Sequence, residues 1–96
     1  MLLEQRTVSR KTPNDGRLEI TEPSAAKCEA LGASFHVELN DSRHTARLGT
    51  MNCTCRGVNQ PHVHHFIESP AFKALVPGDK VDVELDAARK TIRVAS

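Results

Sequence analysis

The chain is 96 residues long with a formal net charge of +1; 39% of its residues are hydrophobic and only 3% aromatic. That length makes one domain with a modest core, and three phenylalanines without tryptophan or tyrosine make the core aliphatic. Near-neutral charge excludes a global field that steers the chain toward nucleic acid or membranes, and the apolar runs are too short to span a bilayer.

In chain order, residues 1–16 read as an N-terminal strand or flexible lead. A short strand falls within Leu2–Arg10, and Lys11–Gly16 reads as a loop because Thr12-Pro13-Asn14-Asp15-Gly16 is a turn signal. Residues 17–96 read as a single β-barrel domain. Arg17–Thr21 alternates, with Leu18 and Ile20 on one face. Pro23 and Ser24 open a helix over Ala25–Leu31, which Gly32 closes. Ser34–Leu39 alternates again, with Phe35, Val37 and Leu39 inward, and Asn40-Asp41 ends it as a turn. His44–Cys55 is a long alternating stretch. Ala46, Leu48, Thr50, Asn52 and Thr54 lie on one side; Arg47, Gly49, Met51, Cys53 and Cys55 lie on the other. His62–Glu68 is the return strand, and Ser69-Pro70 caps a short helix through Leu75. Pro77-Gly78-Asp79 turns into Lys80–Leu85, and Asp86–Lys90 turns into a last strand, Thr91–Val94.

The pattern is mainly β with two short helices, an α+β chain that predicts a small closed or partly open β-barrel. Leu18–Asn40 and His65–Asp86 share one order: strand, proline-opened helix, then a strand ending in Val-Glu-Leu and Asn or Asp. A preceding strand added to each gives two strand–strand–helix–strand repeats. Gly16-Arg17-Leu18-Glu19-Ile20 and Pro77-Gly78-Asp79-Lys80-Val81-Asp82-Val83 carry a resemblance over residues 16–94. The order resembles the cradle-loop barrels, the group that holds double-psi barrels and AbrB-like swapped-hairpin transcription regulators. The first copy departs from it, with Ala33-Ser34 where the second has Gly78-Asp79. The resemblance implies a fold and transfers no site residue.

Chemistry concentrates in one place. Cys53, Cys55, His62, His64 and His65 fall within 13 positions of a chain that has three cysteines and five histidines. Thiolate and imidazole are the donors zinc takes, so the cluster predicts a zinc site at Cys53, Cys55, His62 and His64, with His65 as alternate. A register placing Cys55 opposite His62 and Cys53 opposite His64 would put all four on one face. The loop Arg56–Pro61 is too long to fix that register. Against the metal stands a plain alternative: two buried cysteines and a solvated histidine turn. C-x-C spacing is also less diagnostic than C-x2-C. Cys28 reads as helix packing, and His36 and His44 read as outward-facing.

Three function classes follow. A non-catalytic binding or regulatory module, docking a protein partner or itself, needs no special chemistry; edge strands and an exposed Phe66 or Phe72 would serve it. Nucleic-acid binding would use Arg17, Arg43, Arg47, Arg56 and Lys80, with Lys73 near, gathered on one face, although stacking aromatics are nearly absent. An enzyme would use a zinc with an open position or a Cys55–His62 pair, but H-E-x-x-H, a nucleophile elbow and a phosphate-binding glycine loop are all missing from the sequence. No hydrophobic segment of signal-peptide length follows Met1-Leu2-Leu3-Glu4, so a cytoplasmic location is the expectation. There, structural disulfides do not persist.

Overall fold

The alternating segments are realised as strands β1 (Leu2–Thr7), β2 (Arg17–Ile20), β3 (Phe35–Leu39), β4 (Ser42–Cys53), β5 (His62–Glu68), β6 (Lys80–Asp86) and β7 (Thr91–Ala95). The computed structural model describes residues 1–53 and 62–95, and at Cys53 and His62 the backbone only. Among the described residues the strands form one sheet in the order β1-β6-β7-β3-β4-β5-β2. All neighbours are antiparallel except β3 and β7. With helices α1 (Lys11–Asp15) and α2 (Glu22–Cys28), this is the nearly closed α+β barrel that the sequence predicts.

The core follows from period-2 alternation. Leu18 and Ile20, then Phe35, Val37 and Leu39, then Val81 and Val83, all turn inward and are buried. Asn40 and Asp41 both take positive φ, 53° and 64°, which is the two-residue turn whose twist matches a β3–β4 hairpin. Ser69 caps as expected, accepting a hydrogen bond from the Ala71 N–H at 3.3 Å. The helix it opens, Pro70–Ala74, is 3-10 rather than α, and it drops Phe72 into the core with no exposure.

Two sequence expectations are corrected. Lys11–Asp15 is one helical turn, not loop. Pro13 lies early enough that its missing N–H costs nothing, buried Thr12 anchors the turn, and Gly16 at φ 70° closes it with its N–H on the Thr12 carbonyl at 2.8 Å. Gly16 also has no room for a side chain, because a Cβ would stand 3.0 Å from the Ser69 carbonyl oxygen. The second correction concerns the aromatics proposed for docking. Phe72 is fully buried and Phe66 only 8% exposed, so neither offers an exposed anchor.

Element order matches two strand–strand–helix–strand units, β1-β2-α2-β3 and β4-β5-(Pro70–Ala74)-β6. Exchange of the units maps β1–β6 pairing onto β4–β3 and maps β2–β5 onto itself. Helix α1 and strand β7 lie outside this scheme, and β7 is inserted between β6 and β3.

The seam between end strands β1 and β2 is closed by side chains instead of a backbone ladder. The Glu4 carboxylate accepts from the Thr21 N–H at 2.8 Å and from its hydroxyl at 3.1 Å. Arg6 reaches both Glu4, at 3.4 Å, and Glu19, at 4.0 Å. Burial alone would raise the Glu4 pKa, but hydrogen bonds from Ser24 and Thr21 and the charge of Arg6 outweigh it and hold the carboxyl below its ordinary value. A carboxyl lowered in the folded state contributes stability above its unfolded pKa and loses it as pH falls through the folded value. Glu4→Gln is therefore expected to cost about 1–3 kcal/mol at neutral pH and to lose less further stability than the parent on acidification. Urea unfolding at neutral and at acid pH measures both; equal curves for parent and variant would show that Glu4 does not hold the seam.

Candidate functional site

The outer face of the β4–β5–β2 sheet is built in rows. Leu48, Ile67 and Leu18 align across the three strands and face the core, so their neighbours face out. The first outer row is Arg47–Glu68–Arg17 and the second is Gly49–Phe66–Glu19. Strand β2 goes no further along β5, and two more pairs follow: Met51 with His64, then Cys53 with His62.

In the first row one carboxylate serves two guanidinia. Arg47 donates to Glu68 at 2.7 and 3.1 Å, and Arg17 donates to the other oxygen at 3.2 Å. The Arg47 hydrogen bonds hold the Glu68 carboxyl below its ordinary value against some desolvation, and Arg17 adds to the effect. The Arg17 guanidinium also lies 4.6 Å from the centroid of the Phe66 ring. In the second row that ring crosses Gly49, where an added Cβ would stand 2.3 Å from Phe66 Cε2 and 2.7 Å from Cζ. Past the ring, Glu19 reaches diagonally to His64, with Oε1 3.2 Å from Nδ1. Met51, His64, Glu19 and Phe66 line one small pocket of about 70 Å³ together with residues of the α1 segment.

These contacts fix the register that the sequence left open, two residues away from the one considered for the four ligands. Cys53, not Cys55, stands opposite His62, and Met51 stands opposite His64. A shift of two residues to the expected pairing would bring Phe66 against Met51, place Glu68 opposite Gly49, and separate Glu68 from Arg47. Because the shift is even, Cys53, His62 and His64 still occupy positions of one face. His65 pairs with Thr50 and Ile20 on the opposite face. Cys55 and Arg56 lie outside the described residues. Among those described, no group of three or more His, Cys, Asp or Glu side chains stands together as a metal cage.

Of the basic residues, Arg17 and Arg47 meet, but across Glu68, which neutralises part of their charge. Arg43 points to β7, where it donates to Thr91 Oγ1 at 3.2 Å. Lys80 begins β6 opposite Thr7, and Lys73 lies in the last turn of the 3-10 helix. Cys28 is in the core, as expected, with no exposure. Met51 and Glu19 share a pocket with His64, and the sequence reading passed over both. Alternation already placed Met51 beside Cys53, whereas Glu19 comes from a strand 45 residues away from His64.

Fold and face together define a small α+β barrel with an outward-facing, polar and sulfur-bearing strip. Comparison with protein-family models, curated proteins and solved structures gave no match. Among the described residues no helix is long and apolar enough to cross a membrane.

Two outcomes are expected. Gly49→Ala forces the Phe66 ring to move and should cost about 1–3 kcal/mol, most of which disappears in a Phe66→Leu background; a double-mutant cycle by chemical denaturation measures that coupling. Glu68→Gln removes a carboxyl whose folded pKa is lowered, so its share of stability, present above the unfolded pKa and lost as pH falls through the folded one, goes with it. The variant's thermal midpoint should therefore change less with acidification than the parent's, and parallel pH profiles would contradict this.

Proposed function

We propose that the chain is a non-catalytic binding or regulatory module, a small barrel whose β4–β5 arm holds a metal ion of the zinc type at Cys53, His62 and His64. The observation that carries this reading is where the core stops. Leu48 and Ile67 are the last apolar pair beneath the arm; beyond them the same face bears Thr50, Asn52, His65 and Val63, with Val63 47% exposed. On the other face Met51 is 44% exposed. A two-stranded ribbon without a core is marginal in water. Thiolate and imidazole ligation is a means of ordering such a ribbon, because metal binding free energy becomes folding free energy.

His64 adds support. Metal-bound histidines usually donate their second ring nitrogen to a carboxylate, and Glu19 already stands at Nδ1. A reducing cytoplasm would keep Cys53 a thiol, ready to bind as thiolate. The ordered arm and adjoining loops would then be the surface offered to a protein partner or a second copy. The paired state of Arg17 and Arg47 lends nothing to a nucleic-acid reading.

Native mass spectrometry with and without chelator, alongside thermal melts, tests the proposal. One ion per chain is expected, with chelator removing it and lowering the melting temperature. Cys53→Ser should abolish the chelator effect, whereas Cys28→Ala, a core change, should lower stability yet keep it. Protein that carries no metal as isolated and takes up none on titration would sink the reading.

A further inference from the structure

We propose that the free edge of β4, Leu48–Asn52, pairs antiparallel with the same edge of a second copy of this chain, about a two-fold axis at Thr50. This names the partner that the binding-module reading leaves open. It rests on that reading and makes no use of the metal.

Hydrogen bonding leaves the edge unused. The His36 N–H goes to the Lys90 carbonyl at 3.2 Å, on the β7 side. Phe35, Val37 and Leu39 therefore turn their backbone groups to β4, toward Ala46, His44 and Ser42. On the far flank the Ser69 N–H goes to the Gly16 carbonyl at 2.9 Å, on the β2 side. Glu68, Phe66 and His64 therefore turn theirs to Arg47, Gly49 and Met51. Both ladders place the even-numbered residues of β4 toward the β3 side. Strand β3 starts at Phe35, opposite Ala46, which leaves the N–H and C=O groups of Leu48, Thr50 and Asn52 without a strand partner among the described residues.

Nothing guards this edge. Edge strands are ordinarily protected by charge, proline or a bulge, and the end strand β1 is covered by the Glu4 contacts to Thr21. Leu48-Gly49-Thr50-Met51-Asn52 has no charge and no proline, and Thr50, Met51 and Asn52 are exposed. The β4–β5 register runs through them without a bulge.

The edge is also complementary to itself. An axis at Thr50 sets Thr50 opposite Thr50 of the second copy, a favourable pair. Leu48 and Asn52 then stand opposite Asn52 and Leu48 of the second copy, so every free backbone group is used. On the outer face Met51 of the second copy falls opposite Gly49, beside the Phe66 ring that lies across it, where thioether and ring attract. Met51, 44% exposed in the single chain, thereby gains a packing role. Arg47 never falls opposite Arg47, so like charges do not meet. Other axes fit less well. One at Gly49 sets Asn52 against Ala46, whose backbone groups β3 already holds; one at Met51 carries Leu48 past Cys53, the end of β4. An edge this short gives a weak, transient dimer.

Sedimentation velocity of the full chain from micromolar to millimolar concentration, with chelator present throughout, tests this. A concentration-dependent dimer is expected. Thr50→Lys and Thr50→Glu should each be monomeric, because like charges then face each other across the axis, and an equimolar mixture of the two should recover a dimer. Thr50→Pro should be monomeric with the β4–β5 ladder intact, since the N–H it removes points to the free edge. Met51→Ala should weaken association by about 2–10-fold. In the parent, the amides of Leu48, Thr50 and Asn52 should gain protection from hydrogen exchange as concentration rises. A parent that stays monomeric at millimolar concentration, or Thr50 variants that all dimerise as the parent does, would overturn the inference. Protection of those amides that does not vary with concentration would mean that another occupant covers the edge, and would overturn it too. Failure to dimerise in a chain that still binds one ion leaves the reading above standing; a chain that neither dimerises nor binds an ion overturns both.

Discussion

The register of β5 between β4 and β2 decides what the outer face presents, and the Phe66 ring lying across Gly49 fixes it. A slip by one residue would turn Phe66 inward and drive Ile67 out of a core where it is fully buried. A slip by two would bring the ring against Met51 or Arg47, where a side chain already fills the space that glycine leaves open. The Arg47–Glu68–Arg17 row reinforces the same alignment, because its guanidinia reach one carboxylate only when the three residues stand abreast. One glycine and one aromatic thus determine which residues line the arm far beyond them.

A similar economy closes the barrel. Strands β1 and β2 do not share a ladder, and an open edge invites pairing with another chain. Glu4 substitutes for the missing ladder by taking both donors of Thr21, the residue at which β2 hands over to α2. Arg6 then links Glu4 to Glu19, and Glu19 links onward to His64. The seam and the arm are therefore linked through one carboxylate, which gives the outer face of β4 and β5 a direct connection to the joint between β1 and β2.

Much of this was legible in the sequence and some was not, for physical reasons. Alternation located β3, β5 and β6 and the inward Phe35, Val37 and Leu39, since burial on one face leaves that trace. Asn40-Asp41 announced its turn because few residues accept two successive positive φ values. Helix α1 was hidden because Thr12-Pro13-Asn14-Asp15-Gly16 serves a lone helical turn as well as a loop. The burial of Phe66 was hidden as well. It faces outward by alternation and is covered only because Arg17 and the α1 segment arrive from elsewhere in the chain. The register was beyond reach because local spacing cannot reveal a contact between Gly49 and a ring 17 positions away. The observed pairing differs by two residues from the one considered for Cys53, Cys55, His62 and His64.

The two cysteines within the described residues illustrate how the fold sorts equivalent chemistry. Cys28 sits in the core, where desolvation and then the nearby Glu4 charge push its thiol up to about 11. A thiol that resists ionisation is a poor metal ligand and a poor nucleophile, so Cys28 works as a small apolar residue. Cys53 ends β4 beyond the last core pair, opposite a histidine position and one pair along from Met51 and His64. The arm has no core of its own beyond Leu48 and Ile67, so its order depends on the β4–β5 ladder and on what its outer face contacts.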